Sequence, residues 1–415
     1  VQKNRFWELE GLRGVAAIVV ATYHYLLAFY ALAFLGPNSG LLAGQHTHFE
    51  DNFYGSPIAV FLSGTFAVAI FFVLSGFVLS IGFFQTGKLD IIKKLAAKRY
   101  FRLMLPALAS ILIAFTLLSL HLAHNQTAAT ITQSGWLGGA WTFAPNIFEA
   151  IRNGLFDIFA VSGNGYNNAL WTMTYEFAGS FLVFGFLALF STSKYRSVFY
   201  AFLLIATFNT WFMGFVLGMI LADLYARGTF RQKIRRRYLF IPALIIGLFF
   251  GGYPIFGTTN SVYRYILPQV LGINWVPVSL TLGATVLIAV VLSTTQVAKV
   301  FANKYVSKLG KYTFSLYLVH LSILYTLTTA IFLLLDQKLG FGYNRSALLS
   351  IIFSIPVICV ATILFEKYID SQSIRLSSYA GGVMLGITKT PRLNKYLKNL
   401  IKKFKYFSQK VSNNG

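Results

Sequence analysis

Residues 58–84 read Ile58-Ala-Val-Phe-Leu-Ser-Gly-Thr-Phe-Ala-Val-Ala-Ile-Phe-Phe-Val-Leu-Ser-Gly-Phe-Val-Leu-Ser-Ile-Gly-Phe-Phe84, without one charged side chain. A bilayer's hydrocarbon core is crossed by about 20 apolar residues in a helix, so this stretch is long enough to span it. Comparable runs recur near 12–35, 104–123, 171–191, 238–256, 277–296, 312–335 and 346–369. The segment 197–226 is too long for one ordinary span and too short for two full ones, and is expected to break near Asn209. The fold class read from this pattern is all-α, a polytopic transmembrane helix bundle of about ten spans.

Composition agrees. The chain of 415 residues is 56% hydrophobic, 17% aromatic and only 11% charged, with a mean hydropathy of +0.64. A soluble domain carries roughly 25% charged residues. The net charge of +23 comes from 35 Lys+Arg against 12 Asp+Glu. The basic residues sit between apolar runs and at the C-terminal end, the pattern of cytoplasmic loops rather than of a nucleic-acid surface, so no nucleic-acid partner is expected. Cys359 stands alone, which excludes an internal disulfide and a cysteine-based metal site. No metal is expected.

Sidedness follows from the loops. Residues 36–57 carry Glu50 and Asp51 but no Lys or Arg and are read as outside. The 88–102 loop holds Lys88, Lys93, Lys94, Lys98, Arg99 and Arg102, and 297–311 holds Lys299, Lys304, Lys308 and Lys311; both are read as inside. Lys194 and Arg196 before 197–226, and the basic cluster from Arg227 to Arg237 after it, place both of its ends inside. Both termini are then cytoplasmic. Residues 1–376 are read as the transmembrane domain, and 377–415 as a basic cytoplasmic tail. In that tail Leu393, Leu397, Leu400, Ile401, Phe404 and Phe407 form an apolar stripe flanked by lysines, an amphipathic helix for an anionic leaflet. A second segment expected to lie along the membrane carries Ile147, Phe148, Ile151, Leu155, Ile158 and Phe159 at helical spacing.

An ionisable group inside a span costs roughly 2.5–3.5 kcal/mol and needs a reason. Arg13 and His24 lie on the first helix, nearly on one face and about 16 Å apart along its axis. His320 comes out within a few ångströms of the depth of His24, with Glu176 slightly above both. Arg99 and Arg102, three residues apart on one helix face, suit phosphate oxygens through their guanidinium forks. The plain alternatives are positive-inside anchoring for the arginines and helix-packing hydrogen bonds for the histidines and Glu176. Taken together, the six suggest an anion site at the inner face beneath a histidine base that a carboxylate orients.

Several blocks resemble one family. Leu9-Glu10-Gly11-Leu12-Arg13-Gly14-Val15-Ala16-Ala17, ending at His24, is similar to the opening helix of the integral-membrane acyltransferase-3 proteins, with its Arg-x10-His signature. Phe71-Phe72-Val73-Leu74-Ser75-Gly76-Phe77, Arg99-Tyr100-Phe101-Arg102 with Pro106, Leu170 to Phe177 around Glu176, and Leu309 to His320 follow in the family's order. Glu10 stands where the family usually has Asp. Trp211-Phe212-Met213-Gly214-Phe215-Val216-Leu217-Gly218 resembles a glycine-bearing family helix only loosely.

The resemblance implies an O-acyltransferase of the cell membrane. Its donor would be cytoplasmic acyl-CoA, with acetyl-CoA the first expectation, and its acceptor a hydroxyl of a carbohydrate or glycolipid. Arg13, Arg99 and Arg102 would hold the CoA phosphates. His24 would act as general base, Glu176 would orient it, and His320 would serve as acid or acceptor-binding group. A multi-pass transporter or flippase would also place ionisable residues at mid-membrane and use short broken helices. It is the alternative class.

Overall fold

The computed structural model describes residues 5–36, 40–160, 165–230, 237–258, 261–266 and 273–387. Among them there is no strand; an isolated bridge joins Ala43 and Ser134. Seven helical stretches are long and apolar enough to cross a membrane, and three more are apolar but shorter. In chain order these ten are α1 Trp7–Phe29, α2 Gly64–Thr86, α3 Leu89–Ser119, α4 Thr172–Phe190, α5 Arg196–Thr207, α6 Phe212–Ala226, α7 Arg237–Gly251, α8 Trp275–Ser293, α9 Thr313–Lys338 and α10 Tyr343–Met384. The short ones are α5, α6 and α7.

The break expected near Asn209 is there: α5 ends at Thr207, α6 starts at Phe212, and Asn209 sits between them at φ +64°. Other boundaries differ. The basic stretch 88–102 is not a loop, because α3 begins at Leu89 and runs unbroken through it and past Pro106. Lys and Arg are good helix formers, so this charge sits on helix. The last long helix runs through Glu366–Asp370, a π turn, to Met384. The amphipathic tail helix around Leu393–Phe407 lies outside the described residues.

The segment 147–160 is helical as expected, over Ile147–Arg152, the π-turn Asn153–Asp157 and Ile158–Ala160. It is held against the bundle rather than lying free of it. Tyr100 Oη on α3 donates to Leu155 O at 2.9 Å, and Thr174 Oγ1 on α4 donates to Ile158 O at 3.0 Å.

Small residues set the closest helix contacts. A Cβ built on Gly76 of α2 would lie 2.1 Å from the carbonyl oxygen of Phe215, and one on Gly218 of α6 would lie 2.0 Å from that of Val73. The two glycines thus let α2 and α6 touch backbone to backbone, the close approach that membrane helices use for want of a hydrophobic drive. The same happens where Gly14 of α1 meets Leu309 and Gly310 just before α9.

That last contact sets the depth of the site. His24 lies ten residues beyond Gly14, and His320 ten beyond Gly310. Each interval rises about 15 Å at 1.5 Å per residue, so the two imidazoles arrive at one level.

Candidate active site

The histidines meet. His24 Nδ1 is 2.9 Å from His320 Nε2, with ring centroids 5.0 Å apart. The direction of this bond follows from the next one. His320 Nδ1 is 2.9 Å from Leu316 O, and a carbonyl only accepts, so Nδ1 carries the proton. With both rings neutral, His320 Nε2 is then bare and accepts from His24 Nδ1–H. The remaining nitrogen, His24 Nε2, keeps its lone pair. One imidazole thus fixes the tautomer of the other. The indole of Trp136, from the connection between α3 and α4, stacks on His24 at 5.3 Å and 18° between planes. Ser134 Oγ donates to Leu27 O at 3.0 Å, tying that connection to the end of α1.

The other expected residues form a second group. Arg13, Arg99, Arg102 and Glu176 line one cavity of about 310 Å³, together with Ser75 and Tyr317 among others. Glu176 does not orient His24 in this arrangement. Its Oε1 accepts from Ser75 Oγ at 2.8 Å, and its Oε2 from Arg99 Nη2 at 2.5 Å. Depth along the axis put Glu176 near the histidines, but its direction around the helix turns it to α2 and α3.

The three arginines are not equivalent. Arg99 is bound to Glu176, yet its Nε is buried without a hydrogen-bond partner. Arg102 Nη1 reaches Asp370 Oδ1 at 2.5 Å and Ser373 Oγ at 3.1 Å on the continuation of α10. Arg13 has the loosest partner, Glu10 at 3.7 Å, and is 36% exposed. Three guanidiniums against the single lining carboxylate Glu176 leave the cavity wall net positive. An orphaned N–H and the loosely held Arg13 are donors suited to an anionic oxygen.

Sequence reasoning missed Trp136 and Asp370, and gave no role to Ser75 or Tyr317. The last two were inside the quoted motifs. For Trp136 and Asp370 no periodic or spacing signal was available, since each partner is remote in sequence.

Apolar helices long enough to cross a membrane thus hold a histidine pair beside an arginine-lined cavity, the framework of a membrane protein. The chain matches the acyltransferase domain family over residues 6–366, and it belongs to that family. It is therefore an acyltransferase, and the five motif blocks resembling acyltransferase-3 proteins all fall within the match. It is also similar to the O-acetyltransferase PaAT-1 of Phomopsis amygdali, at 24% identity over 463 residues, covering 92% of this chain and 86% of that protein. No solved structure matches the chain.

Proposed function

We propose that the protein is an O-acyltransferase of about ten spans in the cell membrane, with both termini cytoplasmic. It moves an acyl group, acetyl in the first instance, from cytoplasmic acyl-CoA to a hydroxyl of a carbohydrate or glycolipid. The observation that carries this reading is the tautomer chain Leu316 O, His320, His24, which leaves His24 Nε2 as an imidazole base. The similarity to an O-acetyltransferase supports an oxygen acceptor and an acetyl group.

Arg13, Arg99 and Arg102 receive the phosphates of CoA, Arg13 and the unpartnered Nε of Arg99 offering the readiest donors. At about 310 Å³ the cavity is at the small end of ligand pockets, which run about 300–1,000 Å³, so it suits the phosphate end of the donor rather than the whole of it. His24 Nε2 takes the proton of the acceptor hydroxyl as its oxygen attacks the thioester carbonyl. The C–S bond then breaks, and the CoA sulfur leaves with the proton returned by His24. His320 accepts the hydrogen bond from His24 Nδ1 throughout, so the imidazolium formed on His24 stays oriented.

Incubation of purified protein with labelled acetyl-CoA and candidate glycans, followed by mass spectrometry, tests this. The expected product is an O-acetylated glycan with one equivalent of free CoA. Absence of any acyl transfer or CoA release by folded protein would contradict the reading.

A further inference from the structure

The arginine cavity and the histidine pair are separate spaces, and Tyr317 borders both. It lines the cavity, and its ring centroid is 6.2 Å from that of His320, three residues further along α9. Neither His24 nor His320 lines that cavity. The tyrosine is buried and its hydroxyl is held twice. It donates to Ala169 O, and its oxygen lies 2.7 Å from Thr172 Oγ1, which serves as the donor in that second bond. Both anchors belong to the turn that opens α4, the helix carrying Glu176. The ring is therefore fixed to the same element that fixes Arg99.

We propose that Tyr317 is a specificity-determining residue, the wall past which the donor's acyl group must extend to reach His24. This rests on the reading that the cavity receives acyl-CoA. A donor whose phosphates lie among the arginines points its thioester away from them, and the acyl chain then passes the ring. A wall locked by two hydrogen bonds admits a short acyl group and refuses a longer one. Methylene-level discrimination in an apolar pocket is worth about 10–200-fold.

The test is steady-state thioester cleavage by the full chain in nanodiscs, in the presence of a glycan acceptor that the wild type uses, with acetyl-, butyryl- and hexanoyl-CoA as separate donors. Wild type should prefer acetyl-CoA. Tyr317→Ala should raise the hexanoyl-to-acetyl ratio of kcat/KM by about tenfold or more. Tyr317→Phe keeps the ring and loses both anchors, and Thr172→Val loses one, so each should shift the ratio the same way by a smaller factor. A residue important only for folding would lower all donors alike and leave the ratio unmoved. An unchanged ratio in Tyr317→Ala overturns the inference. If that variant does not fold, unchanged ratios in both Tyr317→Phe and Thr172→Val overturn it. Failure of wild type to cleave any of the three donors overturns the cavity's reading as a donor site, and this inference with it.

Discussion

Deleting Arg99 alone would strand the carboxylate of Glu176 inside the bundle with Ser75 as its remaining side-chain partner. Breaking a buried pair in this way costs roughly 3–5 kcal/mol, whereas removing both charges is often far less harmful. We therefore expect Arg99→Ala to lower thermal stability in detergent much more than Arg99→Ala combined with Glu176→Gln. Equal melting of the single and double variants would show that the pair is not a buried unit. If His320 serves to hold the tautomer of His24, its loss should leave donor binding intact and slow turnover. His320→Ala should reduce kcat by about 10²-fold or more, the range for a positioned proton-transfer group, with unchanged CoA affinity by calorimetry. Normal kcat in that variant would remove His320 from the tautomer chain. The common depth of the two histidines was legible in the sequence, because counting rise per residue gives depth, but their contact was not. The partner of Glu176 was not, because depth along a helix says nothing about which neighbour the side chain turns to. The Arg102–Asp370 pair was likewise invisible, its members standing on helices far apart in the chain.

At the level of elements, the α2–α6 contact depends on Gly76 and Gly218, each facing the other helix's backbone. Any side chain there must push the helices apart, and overpacking costs about 1–3 kcal/mol or more. Gly76→Val or Gly218→Val should each lower the melting temperature, seen by thermal denaturation of the detergent-solubilised protein. Gly185 on α4 has nothing within 4 Å of a would-be Cβ. Gly185→Ala should be neutral or stabilise by up to about 1 kcal/mol through helix propensity. Equal damage at all three positions would refute the close-packing account. The helix break at Asn209 could be read from length and charge, since a segment with basic residues at both ends has to return to its own side. The tight packing of Gly218 against α2 gave only a faint sequence signal, because Trp211–Gly218 is uniformly apolar and a glycine's neighbour is not written beside it. The start of α3 was misplaced for the opposite reason. Basic residues mark the inner side of a membrane, but they do not end a helix.

For the molecule as a whole, the arginine cavity can meet cytoplasmic acyl-CoA only if the inner ends of α1 and α3 face the cytoplasm. With Cys359 replaced by Ser, single cysteines in the described parts of 36–57 should be labelled from outside intact cells. Cysteines at 88–98 should be labelled only after permeabilisation. The reverse pattern would detach the cavity from its donor. The transmembrane character of the chain was plain from composition and apolar runs, and the separation of the site into an arginine cavity and a histidine pair was not. That division arises from side-chain directions across several helices. The central claim is that His24 Nε2 is the base that makes the acceptor oxygen nucleophilic. It is tested most directly by comparing free-CoA release from acetyl-CoA by wild type and His24→Gln, both reconstituted, correctly folded and supplied with an acceptor that the wild type uses. The account predicts that release by His24→Gln falls by about 10²–10⁴-fold while acetyl-CoA still binds. Turnover at the wild-type rate by that variant would contradict it.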